Sequence, residues 1–204
     1  MTGLYKTTLG TNTIDVTVSD GVPAAPPWLV TVTNSNKVAI QFTETDPHVT
    51  TAPHHSAVGQ FTVGVNEQDV PSSTSFATFC VDLNRDIFLN DVNLPYDVMP
   101  LDQALMTTAG TTAADAGKVA YLYNHFGLAS LSPTDSVGLQ LAIWTLEYDH
   151  GTLTVNSVDN PPPTVADVTN SMNHYLTLAA GKSERAYFLN PLPPWRAVPM
   201  APRA

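Results

Sequence analysis

The sequence predicts an α+β fold: an antiparallel β-sandwich or barrel scaffold carrying an inserted helical subdomain. Three observations carry this. The first half alternates apolar and β-branched residues with polar ones at a period of two, the pattern of half-buried strands. After Pro100 the apolar residues recur at helical spacing instead. The order is then strands, helices and one returning strand, which argues against a doubly wound sheet, where the two alternate.

The strands come first. Residues 13–18, Thr-Ile-Asp-Val-Thr-Val, alternate cleanly. So do Trp28 to Thr33 and Lys37 to Thr43, which read as two strands joined through Asn34-Ser35-Asn36. Phe61 to Val65 and Ser75 to Leu83 follow. Gly21 to Pro27 and Asp46 to Val58 are rich in Pro or His and read as loops rather than core strands.

The helices follow. From Asp115 to Phe126, Val119, Leu122, Tyr123 and Phe126 share a face, and Gly127 is a stop. Ser132-Pro133-Thr134-Asp135 is a helix start: Ser at the N-cap, Pro at the first helical position and an acid three after the cap. That helix runs on towards Gly151 with Val137, Leu141, Trp144 and Tyr148 as its apolar stripe. Pro161 to Pro163 break the chain, Thr164 to Ala180 forms another helix ending at Gly181, and Arg185 to Leu189 returns as a strand. One domain is expected over residues 1–190, with the helical subdomain at about 101–149. The tail 191–204, with five Pro in fourteen residues, reads as a linker.

Composition excludes several function classes. With 43% hydrophobic and 13% charged residues, the 204-residue chain has material for a sizeable core and is not disordered. Eight Lys+Arg against eighteen Asp+Glu give a net charge of -10, a field that repels nucleic acid and anionic lipid. No apolar run reaches the roughly 18 residues of a membrane span. The N-terminal MTGLYKTTLG lacks a basic-then-apolar signal pattern. Seventeen Pro and long Thr/Ser/Asn stretches point to an extracellular or cell-surface setting. A single cysteine, Cys80, forms neither an internal disulfide nor a Cys-rich zinc site.

Two metal motifs fail on their own terms. Asp82-Leu83-Asn84-Arg85-Asp86 opens like a calcium loop, but Ile87 and Asn93 stand where Gly and Glu are required. His54-His55 with His48 lacks a third-ligand motif, and a solvated loop accounts for it. No metal or cofactor is expected.

Gln140 is different. It lies in Leu139-Gln140-Leu141-Ala142-Ile143-Trp144, and an amide inside such an apolar helix must find a partner or face an opening. Upstream stands Phe79-Cys80-Val81. The two segments together resemble the paired motifs of the thioester domains of bacterial surface adhesins: an aromatic-Cys-apolar motif, and an apolar-Gln-x-Ala-apolar-Trp motif. The resemblance spans roughly Phe61 to Asp149 and includes Gly117 to Leu122; Leu139 stands where many members have Thr.

The resemblance implies an internal thioester between Cys80 and Gln140, attacked by a primary amine such as a lysine on a surface protein. It implies adhesion by a single-turnover covalent binder rather than a turnover enzyme, here expected to be a monomer. Phe79 and Trp144 are candidates to shield the bond, and ordinary core packing accounts for them equally. His125 is a candidate base, with Asp82 or Glu147 as alternatives; surface charge or helix-end stabilisation also explains each. Only four lysines (Lys6, Lys37, Lys118 and Lys182) limit self-quenching. Two other classes remain open. A non-covalent β-sandwich adhesion or carbohydrate-binding module would leave Cys80 inert and expose aromatics such as Trp28. A cysteine hydrolase or acyltransferase would place a His beside Cys80.

Overall fold

The computed structural model describes residues 2–9, 12–19, 28–44, 54–66, 74–81, 94–102, 113–148 and 153–191. Among these residues the strands are β1 (Thr2–Leu9), β2 (Asn12–Ser19), β3 (Trp28–Glu44), β4 (His54–Asn66), β5 (Thr74–Thr78), β6 (Leu94–Pro100), β7 (Leu153–Val158) and β8 (Tyr187–Pro191). The helices are α1 (Ala113–Leu122), α2 (Pro133–Glu147) and α3 (Val165–Ala179), with a π-helical turn at Tyr123–Gly127 continuing α1. The fold is mixed α+β, and every strand pairing is antiparallel.

β1 and β2 form a hairpin sheet of their own. The main sheet has the order β5-β4-β3-β6-β8. β3 is its spine: β4 runs along one side, while β6 pairs with Trp28–Val30 and β7 with Ile40–Glu44 on the other. Among the described residues the sheet is open, with β5 and β8 at its edges, rather than closed into a barrel.

Several sequence expectations need correction. Asn34-Ser35-Asn36 is not a connection between two strands. It lies inside one 17-residue strand, where the register advances from Thr33↔Thr62 to Asn36↔Gln60. Three steps on β3 against two on β4 make a β-bulge, which absorbs the polar triplet without breaking the ladder. Residues 54–58 are strand rather than loop, because His54 and Ser56 pair with Phe42 and Ile40 and place Val58 in the core. β6 and β7 escaped notice, so a strand interrupts the helices. β7 does alternate in burial, with Leu153 and Val155 inward, but it is only six residues long.

The helix signals translate directly. Ser132 Oγ accepts from Asp135 N (3.1 Å) and donates to its carboxylate (2.7 Å), with Pro133 opening α2. Thr164 and Asp167 form a full capping box on α3, and Gly181, at φ +68°, stands just beyond its end. The stripe expected on α2 understates its burial: every residue from Ser136 to Trp144 is buried. A helix apolar all round belongs inside, and α2 packs against α1, α3, β3 and β4. No helix among the described residues is long and apolar enough to cross a membrane.

Gly138 sets the approach of α2 to α3. A Cβ there would press into the Ser171 side chain and lie 2.9 Å from the backbone nitrogen of Met172. Alanine gains about 1 kcal/mol in helix propensity, but overpacking against a backbone costs about 1–3 kcal/mol. Gly138→Ala is therefore expected to lower the thermal midpoint, and a raised midpoint in a melting experiment would show that the two helices have room to part.

Candidate functional site

The site begins where a strand stops. β5 pairs with β4 as far as Phe61↔Thr78. Phe79 then turns into the core, 7% exposed, and Cys80 follows, half-buried. Cys80 was expected on a strand; it sits two residues past the end of one. The physical reason is in its hydrogen bonds. Its N–H donates to Gln140 Oε1 (2.8 Å), and its C=O accepts from Gln140 Nε2 (2.5 Å). A side-chain amide has taken the place of the next strand partner.

Gln140 comes from the other side. It stands in the middle of α2, completely buried. An amide buried there without partners would cost about 1–3 kcal/mol. Both of its ends are satisfied by one residue, 60 positions away in sequence. The Gln140 amide is thereby held against the main chain of the residue that carries the thiol. The Cys80 N–H is aimed at the oxygen that would take negative charge if the amide carbon were attacked, the arrangement of an oxyanion donor.

The two shielding candidates are both buried. Trp144, one turn beyond Gln140, stacks on Phe42 with ring centroids 5.5 Å apart, and Phe42 stacks in turn on His54 at 5.1 Å. Trp144 Nε1 is buried with no acceptor among the described residues.

The proposed bases fare differently. His125 sits half-exposed on the π-helical turn, with Nε2 2.7 Å from Glu184 Oε1 and its ring 4.4 Å from that of Tyr121. Hydrogen bonds from Asn124 and His125 hold the Glu184 carboxyl below its usual range. These contacts account for His125 as a hydrogen-bond partner of Glu184. Glu147 is fully buried, seven residues after Gln140 on the same side of α2. At 1.5 Å per residue that is about 10 Å along the axis, too far for a direct proton transfer from a group at Gln140. Asp82 and the rest of the calcium-like segment, His48, and the side chain of Trp28 lie outside the described residues. His55 pairs with Asp159 at 2.8 Å rather than with a metal cluster. Among the described residues no group of three His, Cys, Asp or Glu is placed to hold a metal ion.

Sequence reasoning missed two residues. Tyr123 was read only as part of an apolar face, yet its hydroxyl donates to Ala77 O (3.0 Å) on the strand leading to Cys80. The phenol tip in an apolar stripe is the signal that could have found it. Gln60 fell between the expected loop ending at Val58 and the expected strand starting at Phe61, and was given no role. Its N–H donates to Ser136 Oγ (2.7 Å), and its side-chain amide donates to Gly127 O (2.8 Å) and Ala129 O (3.1 Å). Nothing in the local sequence marks it.

No family model matches the chain, and neither a curated protein nor a solved structure matches it.

Burial pushes the Tyr123 phenol up to about 12, against a smaller lowering by the Thr78 hydroxyl. Burial and the Asp135 carboxylate push Tyr175 up to about 12 as well. Between pH 10, where the unfolded chain gives up these protons, and about 12, the unfolded state binds fewer protons than the folded one. Stability present below pH 10 is therefore lost as pH rises through that window. Tyr123→Phe is expected to cost about 0.5–1.5 kcal/mol at neutral pH and to flatten the alkaline decline. Urea unfolding from neutral pH to about 12 checks both; an unchanged alkaline slope would remove Tyr123 from this account.

Proposed function

We propose that the protein attaches covalently to amine-bearing targets through an internal thioester between Cys80 and Gln140. The observation that carries this reading is the reciprocal pair of hydrogen bonds joining the Cys80 main chain to the Gln140 amide. Two residues of complementary chemistry meet in a buried setting from opposite parts of the chain.

The chemistry follows from the geometry. Cys80 sulfur adds to Gln140 Cδ, and the carbonyl electron pair moves onto Oε1, which the Cys80 N–H stabilises. The thiol proton is transferred to Nε2. Collapse of the adduct breaks the C–N bond, releases ammonia and leaves the thioester. In the second step a deprotonated primary amine adds to the same carbon and the thiolate departs, taking up a proton. The product is an amide at the Gln140 side chain and a free Cys80 thiol. Phe79 and Trp144 limit access of water, so the bond persists until an amine arrives.

One turn of this cycle consumes the bond, so the protein acts once rather than as a turnover enzyme. The reading extends to adhesion at a bacterial cell surface, with a lysine of a surface protein as the nucleophile and a monomeric binder. A sandwich or barrel, completed over the open sheet, is part of the same proposal. The same hydrogen bonds favour a second reading: they satisfy Gln140 without any chemistry, as a non-covalent binding module with an inert Cys80 would require.

Intact mass decides between them. Freshly purified, never-reduced protein is expected to weigh less than its sequence by one ammonia. Cys80→Ala and Gln140→Ala should each restore the mass expected from sequence. Methylamine should then add to the wild type and expose a thiol that was blocked to labelling, faster as pH rises and more amine is deprotonated. A full wild-type mass, with Cys80 open to thiol reagents throughout, would leave the non-covalent module as the account.

A further inference from the structure

Resting on the thioester reading, we infer that Gln60 is the positioning residue for formation of the Cys80–Gln140 bond. β4 holds both partners through neighbouring residues. Phe61 pairs with Thr78, two residues before Cys80. Gln60 donates its N–H to Ser136 Oγ, one helical turn before Gln140. The distance between the reacting groups is thus set across a single peptide unit of one strand.

Three further features fix that unit. The β3 bulge lies opposite Gln60, and bulges re-aim the residues beside them. Gly59, immediately before it, has φ +140°, a conformation that side-chain-bearing residues rarely adopt. The Gln60 side chain then bridges the carbonyls of Gly127 and Ala129, holding the end of the π-helical turn and the loop that feeds α2. Tyr123, on the same turn, ties back to Ala77 on β5. Gln60 touches neither reacting atom. It acts by holding α2 in register with the exit of β5, and small misplacements of reacting groups are costly: about 1 Å is worth up to a hundredfold in rate.

The test follows ammonia loss by intact mass at successive times after synthesis, in full-length protein shown to be folded by near-ultraviolet circular dichroism. Gln60→Ala removes the side-chain bridge. Gln60→Glu keeps its shape but, ionised, has no N–H to donate. Ser136→Ala removes the acceptor of the main-chain bond. All three are expected to form the thioester about ten- to hundredfold more slowly than wild type. Thr164→Ala, which loses the remote α3 cap, serves as a destabilised control and should form the bond at the wild-type rate. If the Gln60 and Ser136 variants form it at the wild-type rate, or if Thr164→Ala slows it as much at equal loss of melting temperature, the positioning role is overturned while the thioester stands. Absence of ammonia loss in the wild type itself overturns the thioester reading, and this inference with it.

Discussion

A strand that ends leaves its next N–H and C=O without a ladder partner, and at Cys80 the side chain of Gln140 takes both. This exchange constrains the rest of the structure. It requires α2 to lie directly against the exit of β5, with one particular residue of the helix turned inward. It requires a helix that is apolar on every side, because the amide is reached only from inside the core. It also sets the orientation of the amide: oxygen towards a donor, nitrogen towards an acceptor, carbon beside the thiol-bearing residue. Those are the ground-state requirements for attack at carbon and departure of nitrogen.

The surrounding elements serve that placement. Asp135 caps α2 with Ser132 and accepts from Ser171 on α3 (3.1 Å), so the helix start is held at both its own cap and its neighbour. Gly138 lets α3 approach closely two residues before Gln140. On the other side, β4 aligns strand and helix together. The aromatic column of Trp144, Phe42 and His54 fills the space beyond the next turn. Shielding and core packing would be the same contacts here: Trp144 stands where any core residue of α2 would be.

Signals that act over a few residues were legible in the sequence. Ser132-Pro133-Thr134-Asp135 announced the start of α2 because capping is local chemistry, and Gly181 marked the end of α3 in the same local way. The strand pattern of 37–43 and 61–65 was legible because alternation matches the pleat. What failed depended on partners far away in sequence. Asn34 to Asn36 reads as a turn until β4 is known to run past it, and His54 to Val58 reads as a loop until Phe42 and Ile40 pair with it. Cys80 and Gln140 could be paired only by resemblance, since 60 residues separate them and neither carries a local signal of the other. Gln60 was invisible for the same reason: the three hydrogen bonds that tie it to the helical side reach residues at least 67 positions away.

The state of the Gln140 side-chain carbon is the most direct measure of the central claim. Protein labelled with carbon-13 at the glutamine Cδ reports it by nuclear magnetic resonance. A thioester carbonyl resonates far downfield of a primary amide. Wild-type protein should show one such downfield carbon, absent in Cys80→Ala and returning to the amide region after methylamine. If every glutamine carbon of the fresh wild-type protein lies in the amide region, each still bearing an NH₂ pair, Cys80 and Gln140 are joined by hydrogen bonds alone.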